Sequence, residues 1–109
     1  MIIGVPCSKL QDWLNEREYH IATDEGEAVG IAAGHYLATK KPATVFLQSD
    51  GFPNALNPLT TLVIPYGIKV NWVISIRDKG PQHEVMGDTI EHLIELYGLK
   101  RTGNIKIIR

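Results

Sequence analysis

Three carboxylates, Asp24, Glu25 and Glu27, crowd one stretch with only Gly26 among them. They stand where a short apolar run gives way to a long alanine-rich segment, which places them at a helix N-terminus. One explanation is electrostatic. Each carboxylate complements the helix dipole, by ~0.3–1 kcal/mol. The other is chemical. One carboxylate is held in a shielded place and shares a proton with a ligand nitrogen. Helix phase separates the candidates, because Glu25 and Glu27 cannot share a face.

A second polar cluster runs Gln48-Ser49-Asp50-Gly51-Phe52-Pro53-Asn54, followed by Asn57-Pro58. A glycine at its centre lets a ligand approach the backbone. A third is Gly80-Pro81-Gln82-His83. A lone histidine is usually a surface or cap residue, but this one stands at the C-terminal edge of an expected strand. Cys7 reads as structural. His20, His35 and His92 lack metal-ligand spacing, so no metal site is expected.

Gly26, Gly30 and Gly34 recur every four residues along the alanine-rich segment. Glycine costs ~1 kcal/mol in a helix interior, so a stripe of them needs a reason. Close packing on the chain's own sheet is one, and close approach of a second subunit is another. The spacing is not that of a dinucleotide fingerprint.

These residues need elements to carry them. Apolar runs at 2–5, 19–23, 43–48, 70–76 and 105–108 read as strands. Residues 9–16 read as a helix capped by Ser8, with Leu10, Trp13 and Leu14 on one face. Residues 25–39 form a long helix opened by Thr23 or Asp24. Residues 49–54 form a loop, and 55–64 a helix with Pro58 near its start, where proline is tolerated. Residues 83–97 form a last helix ended by Gly98. Strand and helix alternate throughout. That order predicts a three-layer α/β fold, with a mostly parallel sheet of about five or six strands and helices on both faces. Ligands then sit beyond the C-terminal ends of the strands, where all three polar clusters fall.

Composition narrows the function classes. The 109 residues fit a single domain. A net charge of -1 provides no electrostatic grip on nucleic acid or on an anionic membrane. One cysteine excludes an internal disulfide and a cysteine metal site, and suits a reducing cytoplasm. No apolar run approaches the ~20 residues of a membrane span, and the N-terminus does not read as a signal peptide.

The segments GVPCSKL (residues 4–10), ATDEGEAVGIAAGHYLATKKPA (22–43), LQSDGFPNALNPL (47–59), YGI (66–68) and GPQHEVMG (80–87) occur in this order. Together they resemble the N-terminal, pyrimidine-binding domain of thiamine-diphosphate-dependent decarboxylases, above all phosphonopyruvate decarboxylases and sulfopyruvate decarboxylase alpha subunits. The resemblance covers nearly the whole chain. It implies that Glu25 bonds the N1' atom of the cofactor's aminopyrimidine and so activates the cofactor, which serves as an electron sink. It implies that Gln48, Gly51 and Asn54 lie at the cofactor. It implies that Gln82 and His83 meet the substrate, a small-molecule 2-oxoacid with a phosphonate or sulfonate tail, and that His83 takes part in proton transfer.

The resemblance also marks departures. The family loop usually reads Gln-Asn-Ser-Gly-Leu-Gly-Asn. Here Ser49, Asp50, Phe52 and Pro53 differ, and Asp50 adds a negative charge near an anion site. Lys79 and Gly80 replace an acidic pair. Neither the family's first helix nor its diphosphate-binding domain, with a Gly-Asp-Gly metal motif, is matched. The expected assembly is therefore a homo- or hetero-oligomer with a diphosphate-binding beta-type subunit that supplies magnesium. The rival expectation is a non-catalytic binding or assembly module that keeps the fold without the chemistry. A flavodoxin-like or response-regulator-like domain is a third.

Overall fold

Short apolar runs without strict alternation suit parallel strands buried on both faces. In the computed structural model, which describes Met1–Arg109, five such runs form one sheet. They are β1 (Ile2–Gly4), β2 (His20–Ile21), β3 (Ala43–Gln48), β4 (Val70–Ser75) and β5 (Ile105–Ile108). The order is β2-β1-β3-β4-β5, and every pair is parallel. The α/β fold with a parallel sheet is as expected. A flavodoxin-like domain shares this strand order, so topology alone does not separate the two readings.

Four helices connect the strands: α1 (Gln11–Leu14), α2 (Glu25–Thr39), α3 (Phe52–Pro58) and α4 (Pro81–Leu96). A 3-10 turn at Ser8–Leu10 precedes α1. Ser8 lies inside that turn, and Cys7 takes the cap position without a side-chain bond, so Ser8 caps nothing. The polar stretch after β3 is not an open loop. It coils into a 3-10 turn at Ser49–Gly51 that runs into α3. Pro53 sits in the first turn of α3, where a missing N–H leaves no bond unmade. Pro58 therefore ends α3 rather than opening it, and a π-helical turn at Leu59–Val63 follows directly.

Helices cover the two faces of the sheet unequally. Ala28, Val29, Ala32 and Ala33 of α2, Ala55 of α3 and Ile90 and Ile94 of α4 share one apolar cluster with Val45, Leu47, Trp72 and Ile74. The register Val45↔Trp72 and Leu47↔Ile74 puts those four sheet residues on the same face. The buried indole N–H of Trp72 donates to Thr102 Oγ1 at 2.9 Å, so its polar atom is satisfied. The opposite face carries a smaller cluster of Leu10, Leu14, Phe46 and Val73 beneath α1. The Phe46 ring meets Tyr19 edge-on at 5.6 Å and Trp13 at 6.3 Å. It lies over Gly4, where a Cβ would sit 1.9 Å from the Phe46 carbonyl oxygen and 2.8 Å from the ring.

The glycine stripe of α2 divides in two. A Cβ on Gly26 would stand 2.9 Å from the Asn54 carbonyl oxygen, so the chain's own packing explains that glycine. A Cβ on Gly30 or Gly34 would meet nothing within 4 Å. Those two share the outer face of α2 with exposed Ile31 and Leu37. Within the single chain Gly30 and Gly34 therefore carry only the helix penalty. Gly30→Ala and Gly34→Ala should each raise the unfolding free energy by about 0.5–1 kcal/mol in urea titration. Gly26→Ala should lower it by about 1–3 kcal/mol through overpacking.

Candidate functional site

The chain leaves β1 toward one face of the sheet and β3 toward the other. Such a switch point opens a crevice at the carboxyl ends of the strands. The segments after β2, β3 and β4 all begin on that edge.

The capping explanation accounts for two of the three carboxylates at the start of α2. Asp24 is the N-cap, and its Oδ1 accepts the Glu27 N–H at 2.8 Å. Glu27 Oε1 accepts the Thr23 N–H at 2.9 Å. Both Asp24 and Glu27 are exposed. Glu25 takes no part in the cap, and only 6% of it is accessible. Its Oε1 accepts from Asn54 Nδ2 at 3.0 Å. Its Oε2 has no hydrogen-bond partner in the protein, yet it is not sealed from solvent. A Cβ on Gly51 would stand 2.2 Å from that oxygen. The missing side chain at Gly51 thus leaves room for the Glu25 carboxyl itself. A buried carboxyl with one donor is under-satisfied. It is suited to share a proton or accept a bond from a group brought in from outside.

The coiled segment after β3 is pinned from the other side as well. Ser49 is fully buried, and its Oγ accepts the Arg77 N–H at 3.0 Å, tying the segment to the end of β4. Asp50 Oδ2 pairs with His83 Nδ1. Gln48 Oε1 is the one buried side-chain polar atom in the protein without a partner. It is an acceptor with no donor within its own chain.

The sequence candidates fare differently. Glu25, Gly51 and Asn54 are in mutual contact. His83 joins them through Asp50, because Asp50 and Gly51 are consecutive. Gln82 is exposed and makes no side-chain hydrogen bond, so the structure does not gather it into this group. Asp50 is the residue that sequence reasoning treats as an extra negative charge near an anion site. In the structure it is paired, with a partner 33 residues away. No local pattern could reveal that pairing. A groove lies elsewhere, between the end of α4 and β5, and contains none of these side chains. Chemistry marks the Glu25 edge in preference to that groove, which gathers no buried polar group. The Glu25 cluster walls the strand-end edge and lines neither that groove nor the smaller one beside Ile68.

Comparison with known proteins bears on this wall. The family described as "Thiamine pyrophosphate enzyme, N-terminal TPP binding domain" matches residues 1–70. The sulfopyruvate decarboxylase subunit alpha of Methanocaldococcus jannaschii is 35% identical over 105 residues, covering 87% of this chain and 62% of that protein. The phosphonopyruvate decarboxylase of Streptomyces viridochromogenes is 33% identical over 106 residues, covering 87% of this chain and 26% of that protein. The sulfopyruvate decarboxylase subunit alpha of Methanococcus maripaludis is 31% identical over 104 residues, again covering 62% of that protein. The chain thus spans less than two thirds of these relatives. The matched stretch includes β1 to β3, the Glu25, Gly51 and Asn54 cluster, and Gln48 at the end of β3. By this match the chain belongs to the thiamine pyrophosphate enzymes, as a member of their N-terminal TPP-binding domain family.

Proposed function

We propose that this chain is the pyrimidine-binding, alpha-type component of a thiamine-diphosphate-dependent decarboxylase that acts on a small 2-oxoacid with a phosphonate or sulfonate tail. The observation that carries the reading is the Glu25 carboxyl. It is buried at a helix start, held on one oxygen by Asn54, and bare on the other beneath a glycine.

The residues fit the aminopyrimidine end of the cofactor. Glu25 Oε2 would hold the proton shared with ring atom N1', and Asn54 fixes the carboxyl so that Oε2 is the free oxygen. Gln48 Oε1 is an acceptor short of a donor N–H. When bound, thiamine diphosphate supplies the electron sink for loss of carbon dioxide from a 2-oxoacid. The diphosphate end finds no such fit. No three His, Cys, Asp or Glu side chains are placed to hold a metal ion. Magnesium and the diphosphate would be held by a beta-type partner domain with hard oxygen ligands. Closing that partner over the Glu25 wall would complete the site. The outer face of α2, with Gly30 and Gly34 bare, would let a second backbone come close. His83 and Gln82, in the first turn of α4, would meet the substrate. No helix is long and apolar enough to cross a membrane.

The rival reading, an assembly module without chemistry, has no use for a buried carboxyl with a bare oxygen. Such a group lowers stability unless something binds it.

Mixing the chain with its diphosphate-binding partner should produce calorimetric binding of thiamine diphosphate and magnesium that neither chain shows alone. Binding by neither mixture nor parts, with a correct partner, would favour the module. Glu25→Gln keeps the shape and an acceptor for Asn54, so the fold should persist while carbon dioxide release from the mixture drops at least ~100-fold, the low end of acid–base contributions. Undiminished turnover would end the assignment of Glu25. Gly51→Ala should displace the carboxyl, costing about 1–3 kcal/mol of stability in denaturant titration and weakening cofactor binding. An unchanged affinity would mean that the close approach at Gly51 does not matter.

A further inference from the structure

We propose that Asp50 is a positioning residue for His83. It holds the imidazole with a proton on Nδ1 and leaves Nε2 as the nitrogen offered to the site. This deepens the decarboxylase reading, on which His83's role rests, by naming what orients its one imidazole.

The pair differs from an ordinary surface ion pair. The other one in the chain, Arg109 with Glu91, has both side chains 61% exposed. Exposed pairs of that kind contribute little and fix little. His83 and Asp50 are 16% and 21% exposed. Each is also held by its own backbone. Asp50 lies in the Ser49–Gly51 turn, which Ser49 Oγ ties to Arg77 N–H at 3.0 Å. His83 lies in the first turn of α4, where its N–H donates to the Gly80 carbonyl at 2.9 Å. Four residues on, α4 presses against the same connection, since a Cβ on Gly87 would stand 2.3 Å from the Arg77 carbonyl oxygen. Neither partner is free to swing away.

The chemistry follows from donor and acceptor types. An ionised carboxylate only accepts, so the contact with Nδ1 requires a proton on that nitrogen. In a neutral ring this leaves the Nε2 lone pair free to accept a proton. In a charged ring Nε2 donates, and the carboxylate stabilises the positive charge. Nε2 has no partner in the protein and is not sealed from solvent. A base oriented by a third group recurs wherever an imidazole moves a proton. The pairing also means that Asp50 does not confront an anionic substrate as an isolated negative charge.

The test is nitrogen-15 NMR of the ring in the full chain, which reports the proton on each nitrogen. The expected result is a protonated Nδ1 in both the neutral and the charged ring. Asp50→Asn retains an acceptor oxygen and should keep Nδ1 protonated. Asp50→Ala removes it and should move the neutral ring toward the Nε2–H form. A bare Nδ1 in the unmodified chain overturns the proposal without any variant, which covers the case in which Asp50→Ala does not fold. An Asp50→Ala ring unchanged from the parent overturns it too. The measurement needs neither cofactor nor partner. Failure of thiamine diphosphate to bind the assembled complex would therefore remove the decarboxylase reading and leave the pairing standing, whereas a bare Nδ1 would remove the pairing alone.

Discussion

A carboxyl group kept out of water at the start of α2 sets the terms for everything around it. Glu25 is buried and has one donor, Asn54. Burial of that kind is tolerated only where the surroundings are shaped for it. Position 51 must lack a side chain, because any Cβ there would collide with Oε2. Asn54 must stand one turn further on, so the segment after β3 has to coil rather than extend. Gly26 must be bare as well, because the coil brings the Asn54 carbonyl against the first turn of α2. The glycines and the asparagine are thus consequences of one buried group.

The sheet makes these contacts possible. Parallel strands send every strand-to-helix junction to the same edge. The junctions after β2, β3 and β4 carry Glu25, the Gln48 to Asn54 coil and His83. The coil is the hinge of the arrangement. Ser49 bonds to the end of β4, Asp50 reaches His83, and Gly51 lies against Glu25. Three consecutive residues thereby join three strand ends. What results is a connected group of polar side chains at the strand-end edge of a chain that belongs to an N-terminal TPP-binding domain family.

Much of the fold was legible in the sequence. Helix 25–39 and strands 43–48 and 105–108 have the bounds expected of them. Their limits are set locally, by a capping aspartate, by cations and a proline after Thr39, and by turn residues. The misreadings also have local causes. Ser8 has capping chemistry, but the chain turns one residue early and Cys7 takes the position. Polar residues with glycine and proline look like a loop, yet proline in a first turn supports a helix, so residues 49–54 coil. Helices do lie on both faces, as expected, though three share one face and the short α1 covers the other.

The same division runs through the site. The sequence by itself determined that Glu25 opens a helix, out of phase with Glu27, in an order of motifs that resembles one family. Those properties depend on residues within a few positions, and short-range chemistry is written in short-range order. Only the tertiary structure decided that Glu25 is buried against Asn54, that Gly26 is packed while Gly30 and Gly34 are bare, and that Asp50 is paired. Each of these depends on a contact across 25 residues or more, or on its absence. Such contacts arise when parallel strands bring distant junctions to one edge, and no spacing along the chain records which side chains then meet.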